Sequence, residues 1–179
     1  YYGRDEDLFA EKNKTFVSHT FFYDYDQKNN SYDKNVVYAL SGETLYIVKT
    51  SRTVGDIVIN ENIKELNKDG TITSYSDDKT ALPYSFYGYY AESVKLRKVG
   101  TLDDYVFSDA YNLTKLYIEC GFINEITELS FGNKLNNDLF IYDYLNDVDM
   151  YASKWKLKTF MYKNQDGEDF YASKYLISS

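Results

Sequence analysis

LDDYVFSDAYNLTKLYI (residues 102–118) holds one complete phrase of a repeat: a hexapeptide ending in Phe107, a short polar stretch, and the apolar-x-apolar pair Leu116/Ile118. On its N-terminal side the phrase runs from ALPYSF (81–86) to Val94/Leu96, and on its C-terminal side from ITELSF (126–131) to Leu139/Ile141. The pairs recur at intervals of 22 and 23 residues. A period in this range predicts a solenoid, in which each unit is one strand plus a return that cannot bury its own apolar face and must stack on a neighbour. Leu82, Phe86, Leu102, Phe107, Ile126 and Phe131 are then expected to point inward from the returns and to stack in register.

Upstream, GDIVINENIKEL (55–66) carries the pair Ile57/Ile59 and reads as an earlier, degenerate unit. It lies 37 residues before Val94, and the excess over one period matches the polar segment NKDGTITSYSDDKT (67–80), which is expected to be a loop insertion. Pro83, the only proline, favours a turn into the first return. Further back, FVSHTFFYDYD (16–26) and VVYAL (36–40) predict a hairpin with QKNNSYDKN as its exposed tip. After the Ser41-Gly42 turn, TLYIVKT (44–50) alternates as a half-buried strand does. Past Ile141 the rhythm changes: Trp155, a strand-like LKTFMY and the turn NQDGED follow. YASKW (151–155) and YASKY (171–175) echo one another, as a repeat-derived last unit would.

These readings give a fold that is mainly β or α/β, a solenoid with a parallel sheet preceded by a small antiparallel β cap. The expected division is 1–50 for that hairpin-rich cap, 51–160 for the solenoid and 161–179 for a C-terminal cap, all in one continuous body. The N-terminal strands have the task of covering the first unit's core and strand edge.

With 179 residues the chain is long enough for one well-buried core. Its apolar character lies in rings: 21 tyrosines and 11 phenylalanines. A tyrosine packs against a sheet while its hydroxyl stays wet, so it serves equally as half-buried surface or as partner contact. A formal charge of -8 argues against nucleic acid, whose binding needs clustered Lys and Arg. No apolar run is long enough for a membrane span, so no membrane insertion is expected. The sequence opens on YYGRDEDLF with neither Met nor a basic-then-apolar leader, as a mature or trimmed segment would.

Catalysis finds few reagents. His19 is the single histidine and sits on an expected strand, and Cys120, the single cysteine, closes a repeat strand where packing explains it. Asp24, Asp26, Asn30 and Asp33 cluster near the hairpin tip, but the EF-hand pattern fails where Lys28 and Asn29 stand. Asp143, Asp147 and Asp149 form a second acidic group that reads as solvated turns. Gly100, Gly121 and Gly132 stand singly, without phosphate-cradling spacing, and fit turns. No cofactor and no metal is expected. A hydrolase using an unrecognised carboxylate pair is the outside alternative, since nothing places two of the 28 acidic residues together.

The unit Leu102-x4-Phe107-x5-Leu113-x2-Leu116-x-Ile118 resembles the BspA-type leucine-rich repeat, in which an aromatic follows an apolar residue by five and an L-x-x-L-x-I strand comes next. The resemblance covers about 80–155, is looser over 38–80 and is absent from 1–37. The asparagine ladder of the general leucine-rich motif is missing, its place taken by Val99, Gly121 and Tyr144. The resemblance implies a leucine-rich-repeat-like, curved solenoid with a parallel sheet on one face. It also implies a surface-exposed or secreted bacterial protein that acts in adhesion or in binding host proteins, hence an extracellular or cell-surface location.

Side chains alternate along a strand, so residues between the inward positions face out. The expected outer row is Lys95, Tyr117 and Phe140, with Arg97, Glu119 and Tyr142 one step along. Rings beside charges can anchor a protein partner or a second copy, ring burial supplying affinity and charge setting register. Tyr and Trp faces also stack on sugars, which makes a carbohydrate the alternative ligand.

Overall fold

The computed structural model describes residues 20–51, 55–126, 128–131, 139–143, 157–163 and 169–175. The described chain is mainly β, with thirteen strands: β1 Phe21–Asp26, β2 Ser31–Ser41, β3 Thr44–Thr50, β4 Ile57–Ile59, β5 Ile63–Leu66, β6 Ile72–Tyr75, β7 Lys79–Ala81, β8 Ser93–Arg97, β9 Val99–Leu102, β10 Lys115–Cys120, β11 Leu139–Asp143, β12 Leu157–Lys163 and β13 Asp169–Tyr175. Among the described residues the only helical piece is a 3-10 turn at Glu128–Phe131, and no helix is long and apolar enough to cross a membrane.

Alternation of buried and half-buried positions along SVKLR and KLYIEC puts Val94, Leu96, Leu116 and Ile118 on one face. Those strands lie in a sheet of order β12-β13-β11-β10-β8-β4. Its four strands β4, β8, β10 and β11 run parallel, and the β12–β13 hairpin adds antiparallel at β11. A second sheet, β1-β2-β3-β7-β9, begins as an antiparallel meander and continues with β7 and β9 parallel to β3. The chain passes from β4 to β7, β8, β9 and β10, visiting the two sheets alternately, and Glu125 then extends the second sheet through a parallel bridge to Thr101.

Each turn of chain is bonded to the next around its whole circuit. On the returns, Phe86 N donates to Val106 O at 3.0 Å and Phe107 N to Ser130 O at 2.9 Å. At the corner between sheets, Lys79 N donates to Lys98 O at 2.8 Å and Lys98 N to Cys120 O at 3.0 Å. The enclosed rings form a ladder: Phe86 and Phe107 lie 4.8 Å apart, and Phe107 and Phe131 stack at 5.2 Å and 8°. One core cluster joins these rings to the inward residues of both sheets, including Val36, Tyr38, Leu45 and Ile47 of the N-terminal meander. All six expected inward residues are buried, but Leu82 packs with Ala39 and Val48 in a separate small cluster.

The corners repeat as strictly as the strands. Left-handed φ occurs at Tyr84 (65°) and Tyr105 (67°), at Gly88 (65°) and Asp109 (58°), and at Lys98 (54°) and Gly121 (81°), each pair one turn of chain apart. A side chain at Gly121 would meet the Lys98 backbone, its Cβ 3.2 Å from Lys98 Cα. The backbone conformation is therefore periodic even where residue type is not.

Three expectations change. The 67–80 segment is not a loop: it supplies β6 and β7, and β6 closes a hairpin on β5, because the Asp69-Gly70 turn, with Gly70 at φ 87°, brings the strand formers Ile72, Thr73 and Tyr75 back against Ile63–Leu66. The first hairpin turns over 27–30 and its strand resumes at Ser31, so the tip is shorter than QKNNSYDKN. Val94 does face Leu116, and Ile57 faces Val94, but Leu116 faces Ile141, not Leu139. The offset between these last strands is thus 25 residues. A shift of two residues keeps every side chain on its face, so the apolar pattern alone could not distinguish the two registers.

Candidate binding surface

On the parallel sheet, β8, β10 and β11 turn Lys95, Tyr117 and Tyr142 outward in one row, since Tyr117 is paired with both Lys95 and Tyr142. Phe140 lies in the neighbouring row, opposite Lys115. The two-residue shift thus puts Tyr142 in the place expected for Phe140 and moves Phe140 one row back, beside Lys115. Tyr117 and Tyr142 stack at 5.1 Å and 19°, and Phe140 lies over Tyr142 at 6.2 Å and 9°. One step along, Arg97 and Glu119 form an ion pair on a single oxygen, with Nη2 to Oε1 at 2.8 Å and Nε to Oε1 at 2.9 Å. The structure therefore brings all six candidates onto one face. They are less open than an outer row suggests: Tyr142 is 3% exposed, and the other five are half-buried.

The acidic hairpin tip spends its oxygens locally. Asp24 accepts Lys64 N at 2.9 Å and Asn60 Nδ2 at 3.2 Å, tying β1 to β5 and to the connection that precedes it. Asp26 caps the turn by accepting Lys28 N, Asn29 N and Asn29 Nδ2, and the Asn29 side-chain bond leads in holding its carboxyl below the usual range. Asp33 accepts Asn35 N, and Tyr25 OH donates to Asn30. Among the described residues no group of three or more His, Cys, Asp or Glu is arranged for a metal ion. Asp143 of the second acidic group is buried on the inward face of β11, opposite Ile118. Asp147, Asp149, His19, Gly132 and Trp155 lie outside the described residues.

Two polar groups invisible to sequence reasoning sit inside the stack. Lys79, within the expected loop, is buried, and its ammonium donates to Glu61 O and Arg97 O at 3.0 Å and Lys98 O at 3.3 Å. Burial lowers its pKa to about 8, opposed by the nearby Cys120 and by the carboxylates of Asp78 and Glu61. Tyr89 OH accepts Ile57 N at 2.6 Å and donates to Ser93 O at 2.7 Å, linking the starts of β4 and β8. Desolvation raises that hydroxyl to about 12, so it stays protonated and keeps both bonds. Cys120 is half-buried at the end of β10 and paired with Arg97 in the ladder.

No family profile, curated protein or solved structure matches this chain.

Proposed function

We propose that the chain is a repeat solenoid of the BspA-type leucine-rich kind and serves as a non-enzymatic, protein-binding module of a bacterial cell-surface or secreted protein. The observation that supports this most is the in-register parallel ladder β4-β8-β10-β11, whose units repeat strand, corner and return together. Such an array grows a continuous lateral surface with each unit, which suits recognition of an extended partner. The contact face on this reading is the outer side of that sheet, with Lys95, Arg97 and Glu119 at its open part and the Phe140–Tyr142–Tyr117 stack as its apolar part.

A carbohydrate ligand is the weaker reading for this face. Sugar stacking needs a ring face open to solvent, and Tyr142 is covered while Tyr117 lies against it. The test is binding of the purified chain to immobilised extracellular host proteins and to a glycan array, repeated with Lys95→Ala/Arg97→Ala. A protein hit weakened by those substitutions is the expected result. Glycan hits alone would transfer the function to the carbohydrate reading, and protein binding indifferent to both substitutions would remove this face from the account.

A further inference from the structure

Strands and returns carry different charge. The return segments 81–92, 101–114 and 121–131 contain no Lys or Arg, and they hold Glu92, Asp103, Asp104, Asp109, Glu125 and Glu128. The basic residues of the same turns of chain, Lys95, Arg97, Lys98 and Lys115, lie on or beside β8 and β10. Tyrosine is concentrated on the returns as well. Tyr84 and Tyr105, one turn apart, stack at 5.8 Å and 7°, and Tyr87 lies 6.0 Å from Tyr84. The hydroxyls of Tyr87 and Tyr111 both donate to the Asp109 carboxylate, at 2.6 and 2.9 Å. Asn112 Nδ2 donates to Tyr90 O at 2.9 Å, joining the ends of successive returns. Tyr90 is 66% exposed, and Tyr111 and Leu129 are each 40% exposed.

The result is an aromatic ridge that runs across successive returns, on segments whose sequence carries carboxylates and neither Lys nor Arg. Exposed apolar surface gathered into one strip marks an interaction site. The charge around it selects the partner: the return segments that carry the rings are acidic throughout, and a negatively charged surface favours a cationic partner. We propose that the ridge docks an extended Lys- or Arg-rich segment of a partner protein, with cationic heads over Tyr90 and Tyr111 and against the Asp109 carboxylate. Arginine over tyrosine adds cation–π attraction to the carboxylate pairing. A neutral glycan could use the rings but would leave the carboxylate field unanswered. The ridge is a separate surface from the outer sheet face, so it stands or falls independently of that face.

The test titrates the full chain into a fluorescein-labelled Gly-Arg repeat peptide, a Gly-Glu repeat peptide and a neutral xylo-oligosaccharide, followed by anisotropy or calorimetry. Tyr90→Ala/Tyr111→Ala removes two exposed rings, and Lys95→Ala/Tyr117→Ala alters the sheet face. Circular dichroism melts verify that both variants fold. The expected result is that the Arg peptide binds, binding weakens as salt is raised, and the ridge variant loses about tenfold in affinity while the sheet-face variant stays within about twofold. The proposal is overturned by no binding of the Arg peptide, equal binding of the Glu peptide, or an Arg-peptide affinity unchanged in the ridge variant. Oligosaccharide binding lost in the ridge variant, without Arg-peptide binding, would assign the ridge to glycans instead.

Discussion

Replacing Phe107 by alanine removes the middle ring of a three-ring ladder. Phe107 is fully buried, 4.8 Å from Phe86 and 5.2 Å from Phe131. Truncating a buried phenylalanine costs about 3–5 kcal/mol, combining lost transfer energy with the cavity left behind. The upper part of that range applies here, because collapse is obstructed. Phe86 and Phe107 are each held to the next return by backbone bonds, so the flanking rings cannot close on the void without breaking the ladder that positions them. Two ring pairs worth about 0.5–1.5 kcal/mol each are lost with it. A cost of about 4–5 kcal/mol is comparable to the whole stability of a marginal domain, and at about 2–4 °C per kcal/mol it lowers the melting midpoint by roughly 8–20 °C. Urea and thermal unfolding followed by circular dichroism read this directly. Benzene added to the variant should recover part of the loss, since an apolar cavity of ring size stays dry and takes an apolar guest. A loss below about 1 kcal/mol would refute the ladder as the centre of the core.

Tyr89→Phe leaves the Ile57 N–H and the Ser93 carbonyl without their buried partner, and should cost about 2–4 kcal/mol in urea unfolding, far above the usual effect of removing a surface hydroxyl. Asp103 has its carboxyl pKa raised, first by burial and then by Asp104 and Glu125. Its folded pKa exceeds the unfolded one, so the protonated form favours folding and that advantage is lost as pH rises through the folded pKa. Asp103→Asn should therefore raise the urea midpoint at neutral pH and change little below the ordinary aspartate pKa of about 3.9; a gain of equal size at both extremes would contradict this cause. Gly121→Ala forces an L-residue into φ 81° with its Cβ against the Lys98 backbone, and should cost about 1–2 kcal/mol or more, whereas Gly55→Ala, which meets nothing within 4 Å, serves as the mild control.

Much of the architecture was legible because it rests on strand alternation and on a repeated phrase. Val94/Leu96 and Leu116/Ile118 announce inward positions of parallel neighbours, and Phe86, Phe107 and Phe131 announce the ring ladder. Even the degenerate Ile57/Ile59 pair takes its expected place beside β8. The misplacement of β11 has a physical cause: slipping a strand by two residues changes its partners without changing its face, so Phe140 and Tyr142 could each move one row along unnoticed. The β5–β6 hairpin was hidden by polar residues around ITSY, a segment whose strand character comes from pairing with IKEL more than from apolar content. Lys79 and Tyr89 could not be found at all from pattern, because their bonds run to backbone atoms supplied by other turns of the chain. The recurring left-handed corners were equally silent, as Tyr84, Lys98 and Tyr105 are not residue types that advertise positive φ as glycine does. The tyrosine ridge was within reach: its exposed members Tyr90 and Tyr111 lie one turn apart in segments without Lys or Arg.

The stacking of successive chain turns is tested most directly by methyl-resolved nuclear Overhauser spectroscopy on selectively labelled protein in solution. Contacts from Leu116 to Val94 on one side and to Ile141 on the other are expected, together with contacts from Val94 to Ile57. Absence of the Leu116–Val94 contact, or strong contacts from Leu116 to residues of the antiparallel meander in its place, would contradict the parallel stack on which the proposed binding surfaces depend.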